Sequence, residues 1–279
     1  MNFLLIDEII KDALLEDAVV DDITTNSILD NEAICEVDLI AKEEGIICGL
    51  EVFKRTFDIL GGVDIHFMTT EGAKVKPGEI MAKISGNAKN VLSGERVALN
   101  LIQRMSGIAT KTHNMVKILD GTGIKLMDTR KTTPNLRYLE KYSVKVGGGN
   151  NHRYNLMDMA MIKDNHIMAA GGSLTKAVLA VRSNHPFVKK IEVETESLEQ
   201  VKEAVEVGAD IIMLDNMSVE TMGEAIKIIG GKAIVEISGN VNEARIEEIK
   251  GLKVDYISSG ALTHSYTSLD ISMKNLKLL

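Results

Sequence analysis

The sequence predicts an α/β protein whose second half closes into a β/α barrel. Two observations carry that reading. From residue 124 onward, short apolar runs end in a polar residue or glycine: IKLMD at Asp128, MAMIK at Lys163, IEVE at Glu194, IIMLD at Asp215, AIVEIS at Ser238 and YISSG at Gly260. Between them, Leu174–Val181, Leu198–Val207, Val219–Ile229 and Glu243–Ile249 carry apolar residues at helical spacing. Strand and helix in alternation imply a parallel sheet with crossover helices, and closing that sheet makes a barrel. The distinctive polar residues fall at the C-terminal ends of the runs, the face where such barrels place their chemistry.

The first hundred residues follow a different rhythm. MNFLLIDEIIKDALLEDAV is amphipathic, with Asp7, Glu8 and Asp12 inside its apolar pattern, and so reads as a surface helix and not as a signal peptide. Cys35–Ala41 and Gly45–Cys48 are β-like, Glu51–Leu60 is helical, and Val63 to Ser85 reads as a glycine-punctuated hairpin region. Its segment EGAKVKPGEIMAKISG has the rhythm of a carrier-domain hairpin, but it has no lysine in a context suited to modification. From Val91 to Leu119 the pattern is helical again, fit to link two domains or to supply a dimer face.

Composition narrows the partners. The formal net charge is -8, which argues against nucleic acid, whose binding rests on phosphate neutralisation. No apolar run is long enough to span a bilayer, and Cys35 and Cys48 have neither redox-motif nor zinc spacing. Free thiols in a reducing cytoplasm are the expectation. Within this acidic chain, residues 128–166 hold seven Lys or Arg against four acids. So local a cationic excess fits a small anionic ligand better than an extended polyanion.

The candidate residues follow from where the runs end. Arg130 and Lys131 come just after a predicted strand, offering a planar fork and a point charge to an anion; a solvated basic turn is the alternative. His152 and Arg153 follow the glycines at 147–149, where backbone can approach a ligand closely. Lys163 can meet an anion, act as a Schiff-base nucleophile, or simply pair with Asp164 or Glu194. Glu194 and Asp215 end neighbouring strands and suit Mg²⁺ or sugar hydroxyls, with charge-balancing of the cations as the other reading. Ser238, Gly239 and Gly260 end the last strands, where small residues leave backbone N–H groups open to phosphate or simply make tight turns. There is no HExxH and no GxSxG, and zinc and serine-hydrolase chemistry are weakly supported.

Taken together, SGERVALNLIQRMSGIAT, DTRKTTPNLRYLEKYSVKVGGGNNHR, MIKDNHI, IEVETES, IMLDNM, EISGNV and ISSGALTHS resemble the quinolinate phosphoribosyltransferase family over nearly the whole chain. The resemblance implies an N-terminal α/β sandwich domain over residues 1–108 and an incomplete, roughly seven-stranded β/α barrel over 109–279, of the type II phosphoribosyltransferase kind, with a C-terminal tail able to pack back on the first domain. It further implies a homodimer with shared active sites, Mg²⁺, and quinolinate and phosphoribosyl pyrophosphate as substrates, converted to nicotinate mononucleotide, pyrophosphate and CO2 in NAD biosynthesis. By the same resemblance, Arg130, His152, Arg153 and Lys163 receive the quinolinate carboxylates, and Arg96 reaches in from the partner subunit. Lys131 meets the pyrophosphate, while Ser238, Gly239 and Gly260 take the 5′-phosphate. Glu194 and Asp215 serve the ribose hydroxyls and Mg²⁺, directly or through water, although Glu192 offers a similar carboxylate on the same strand face. Lys131, Lys163, Glu194 and Asp215 are the expected catalytic set. The competing readings are a same-fold phosphoribosyltransferase with another acceptor, a Schiff-base aldolase using Lys163, and a carrier module.

Overall fold

The structure is a computed structural model describing all 279 residues. The first half of the chain runs through α1 (Phe3–Glu16), α2 (Ile23–Ile28), β1 (Ile34–Ala41), β2 (Gly45–Ile46), α3 (Leu50–Leu60), β3 (Val63–Phe67), β4 (Lys74–Val75), β5 (Ile80–Asn87), α4 (Ala88–Ile118), β6 (Lys125–Met127) and α5 (Arg137–Val146). The second half continues with β7 (Ala160–Ile162), α6 (Asp164–Ala169), α7 (Leu174–Asn184), β8 (Ile191–Thr195), α8 (Leu198–Glu206), β9 (Ile211–Asp215), α9 (Val219–Ile229), β10 (Ile234–Ser238), α10 (Glu243–Ile249), β11 (Tyr256–Ser258), α11 (Ala261–His264) and β12 (Ile271–Leu278). The chain divides into two compact units.

The first unit comprises residues 1–113, 133–148 and 266–279. Its antiparallel sheet has the order β12-β1-β5-β3, so the last strand of the chain lies beside β1, with Ile271 opposite Ala41 and Leu278 opposite Cys35. Phe53 and Phe57 of α3 pack edge to face at 5.3 Å in a core shared with Val37, Leu39, Ile84 and Ile102. Helix α1 starts at Asn2, whose side chain accepts the Leu4 N–H, and buries Ile6, Ile10 and Leu14, a stripe repeating every four residues. In the region read as a hairpin, β3 and β5 do pair antiparallel, but β4 leaves them to pair with β2.

The second unit comprises residues 114–132 and 149–265. Its six parallel strands have the order β6-β11-β10-β9-β8-β7, so the first strand in sequence pairs with the last. That wrap-around curls the sheet into a barrel. A parallel bridge from Met127 to Asn150 adds a seventh strand position beyond β6. Because β7 pairs with β8 alone, the ring stays open between residue 150 and β7. The register sorts the side chains by face. Val193, Ile212, Val235, Leu214, Ile237 and Ile257 form one apolar face, while Met161, Glu192, Glu194, Met213, Asp215, Glu236 and Ser238 lie on the other. A barrel interior holding three glutamates is a site and not merely a core.

Candidate active site

Every strand of the barrel delivers a polar residue or a glycine at its C-terminal end. Asp128 follows β6, Lys163 follows β7, Glu194 lies near the end of β8, Asp215 ends β9, Ser238 ends β10, and Gly260 stands two residues past β11. Asp128 is fully buried, and its carboxylate is an anchor: Oδ1 accepts the His152 backbone N–H at 2.8 Å, and Oδ2 accepts from the Asn151 side chain at 3.0 Å. Two charge-assisted bonds to one carboxylate fix the segment that carries His152 and Arg153.

The acidic residues separate into a rim group and a deep group. At the rim, the Lys163 ammonium donates to Glu194 at 2.6 Å, and ligand atoms of Glu194, Glu196 and Asp215 all lie within 4.8 Å of one another. Asn216 donates to Asp215 at 2.7 Å. An all-oxygen, partly exposed set suits a hydrated divalent cation such as Mg²⁺. Deeper, Glu192 and Glu236 flank His152, whose Nε2 lies 3.1 Å from one carboxylate and 3.5 Å from the other. The two carboxylates of β8 therefore face different company, and it is Glu194 that stands beside Asp215.

Burial pulls the His152 pKa down, but the close carboxylates of Glu192 and Glu236 outweigh it and push the value up to about 10. The Arg153 amide, which donates to Nδ1 at 2.8 Å, works against that rise, since an imidazolium carries a proton on that nitrogen too. Two buried carboxylates outweigh one neutral dipole, so the direction is upward. Burial raises Glu192 as well, with Glu236 adding to the rise and His152 opposing it. Arg153 is lowered by burial and then by the neighbouring Arg130 charge, and its guanidinium donates to the Met159 carbonyl at 3.1 Å and lies 3.3 Å from the Met161 sulfur.

Two glycines shape the rim. Gly239 has φ +99°, and a Cβ there would lie 2.2 Å from Asn216 Oδ1 and 2.7 Å from the Asn216 amide nitrogen. A Cβ on Gly260 would meet Lys131 Cδ at 2.8 Å, so its absence lets the exposed Lys131 side chain lie across the loop. Thr263 holds the same lysine from below, its hydroxyl donating to the Lys131 carbonyl at 2.9 Å.

This constellation can be compared with known proteins. The C-terminal domain of quinolinate phosphoribosyl transferase matches residues 108–274, and the N-terminal domain matches residues 22–106. The chain belongs to the quinolinate phosphoribosyltransferase family. It is 47% identical over 243 residues to the probable nicotinate-nucleotide pyrophosphorylase [carboxylating] of Bacillus subtilis, covering 87% of this chain and 84% of that protein. The chloroplastic nicotinate-nucleotide pyrophosphorylase of Arabidopsis thaliana is 41% identical, over 86% of this chain and 73% of that one. Among solved structures, NadC from Streptococcus pyogenes superposes with a TM-score of 0.96 at 47% identity, covering 100% of this chain and 99% of that one.

Within this member of the family, Arg130, Lys131, His152, Arg153, Lys163, Glu194, Asp215, Ser238, Gly239 and Gly260 all fall in the barrel unit, on or just after its strand ends. Arg96 belongs to the first unit, exposed on α4 beside Glu95. Asp128, Glu196, Asn216, Glu236 and Thr263 carry no role in the sequence reading. Asp128 had a signal, as the acidic end of an apolar run. Glu236 had none, because the run AIVEIS does not tell which face a fully buried strand turns inward.

Proposed function

We propose that the chain transfers the phosphoribosyl group of 5-phosphoribosyl 1-pyrophosphate to the ring nitrogen of quinolinate, with loss of one carboxylate, giving nicotinate mononucleotide, pyrophosphate and CO2. The observation that carries this reading is the gathering of Arg130, Arg153 and Lys163 on the strand-end face of one barrel, in a chain whose formal net charge is -8. Quinolinate is a dianion and the donor a polyanion, so cations must be concentrated where the two meet.

Arg130 and Arg153 offer planar forks to the two carboxylates, and His152 and Lys163 complete that pocket. Lys131, laid across Gly260, faces the pyrophosphate, and Ser238, Gly239 and Gly260 form the loops for the 5′-phosphate. Glu194 and Asp215 would hold Mg²⁺, directly or through water, with Glu196 beside them, and orient the ribose hydroxyls. When bound, the cation would offset charge on the leaving pyrophosphate. The ring nitrogen attacks the anomeric carbon as pyrophosphate departs. The resulting pyridinium draws electrons from the C2–carboxylate bond, which breaks to release CO2, and C2 then takes up a proton from solvent. The protein's share is orientation and charge neutralisation. The 2.6 Å ion pair between Lys163 and Glu194 counts against a Schiff-base role, since it occupies the amine a carbonyl substrate would need.

A homodimer with shared sites belongs to the same proposal. It is supported by exposed apolar residues along the N-terminal segment: Leu4 at 85%, Leu15 at 76%, Val20 at 83% and Ile23 at 83% exposure. Arg96 would then act in the partner's site. The buried free cysteines Cys35 and Cys48 are compatible with a reducing cytoplasm. The test is product formation from quinolinate, with nicotinate as the alternative acceptor, in the presence and absence of Mg²⁺. Product from quinolinate alone, abolished by chelation and by Arg130→Ala, is expected. Near-normal turnover in Arg130→Ala would contradict the carboxylate pocket.

A further inference from the structure

Two carboxylates of the barrel are buried beneath the rim. Glu192 on β8 and Glu236 on β10 stand on either side of β9, on its interior face, with side-chain exposures of 0% and 1%. Burying a carboxylate costs several kcal/mol unless it is compensated, and apolar residues of similar volume would pack there more cheaply. Stability therefore does not explain the pair. Their nearest polar partner is the His152 ring, whose Nε2 lies 3.1 Å from Glu192 Oε2 and 3.5 Å from Glu236 Oε2. The other ring nitrogen, Nδ1, lies 2.8 Å from the Arg153 backbone nitrogen. The His152 backbone itself is tied to Asp128 at 2.8 Å. The imidazole thus sits between the two buried carboxylates and the main chain of Arg153. The Arg153 guanidinium in turn rests on Met161, the residue that pairs with Glu192 across β7 and β8.

We infer that Glu192 and Glu236 are positioning residues that seat the His152 ring, and with it the adjoining main chain of Arg153, so that the Arg153 fork is held in place for a substrate carboxylate. His152 then serves the pocket by placing Arg153. This deepens the function proposed above and rests on it.

The experiment compares wild type with Glu192→Gln, Glu236→Gln, His152→Asn and the double variant Glu236→Gln/His152→Asn. Each is measured for quinolinate affinity by calorimetry, for KM and kcat with both substrates, and for thermal unfolding. The glutamine variants should remain folded, because they keep the side-chain volume and remove buried charge. Quinolinate affinity should fall about tenfold in each, as expected when a buried charge beside the ring is removed and the Arg153 fork is held less firmly. The quinolinate KM should rise in step, with kcat and the KM for phosphoribosyl pyrophosphate nearly unchanged. The double variant should be no weaker than His152→Asn alone, since both changes act through one ring.

Wild-type affinity in both glutamine variants, or strictly additive losses in the double, would overturn the inference while leaving the proposed function intact. A transition metal held stoichiometrically by the wild type and lost in Glu236→Gln would also overturn it, making the cluster a metal centre instead. A wild-type protein that does not bind quinolinate would remove the proposed function, and this inference with it.

Discussion

Burial would keep the His152 imidazole neutral, yet Glu192 and Glu236 push its pKa up to about 10. A group whose pKa is raised on folding contributes stability in full below its unfolded value, 6.5 for this histidine, and loses it as pH climbs through the folded value. Glu192, also raised by burial, works in the same direction. The denaturation midpoint of the wild type should therefore fall as pH rises from neutrality to about 10, and His152→Asn should flatten that slope. Equal slopes in the two proteins would remove the electrostatic reading of the cluster. Such a group was only half legible in the sequence. His152 stood out beside Arg153, and Lys163 and Asp215 stood out as strand ends. Glu192 could be weighed only as a rival to Glu194, because two carboxylates on one strand face cannot be assigned to different depths without the neighbours that the fold supplies. Glu236 lay inside an apolar run and offered no cue.

Among the elements, the helices of the barrel were the most legible. Val219–Ile229 and Glu243–Ile249 have the bounds their apolar spacing indicates, each opened by a side-chain cap, Ser218 and Asn242. Helix α5 is only faintly marked in the sequence, because its cations interrupt the apolar pattern, although Leu139 and Val144 are buried. Strand β12 carries charge through its outer half and buries only Ile271 and Met273, too faint an alternation to be read as a strand. The glycines at 147–149 read as a ligand-approach loop, but Gly147 has a packing reason of its own: a Cβ there would lie 2.4 Å from the Ala109 carbonyl oxygen, so its absence lets α5 end tightly against α4. The loop after β10 has a comparable constraint at its glycine. Gly239→Ala should destabilise the protein by about 1–3 kcal/mol, combining left-handed strain with a backbone clash at Asn216, as read from chemical denaturation. A neutral outcome would show that the Asn216 loop yields freely.

For the molecule as a whole, composition set the charge balance, and the family motifs carried both the chemistry and the expectation of a dimer with shared sites. If Arg96 completes the partner's site, Arg96→Ala and Arg130→Ala should each be inactive alone. Mixed and refolded together, they should recover up to about a quarter of wild-type activity, because half the dimers then pair one of each and hold one intact site. No recovery from a mixture shown to form hybrid dimers would place Arg96 in its own subunit's site or outside both. The most direct measurement of the central claim follows carbon. Quinolinate labelled with ¹³C in its C2 carboxylate is incubated with the protein, phosphoribosyl pyrophosphate and Mg²⁺, and labelled CO2 and pyrophosphate are quantified together. One labelled CO2 is expected for each pyrophosphate, with the remaining carboxylate retained in nicotinate mononucleotide. Pyrophosphate released without labelled CO2, or turnover with nicotinate in place of quinolinate, would contradict it.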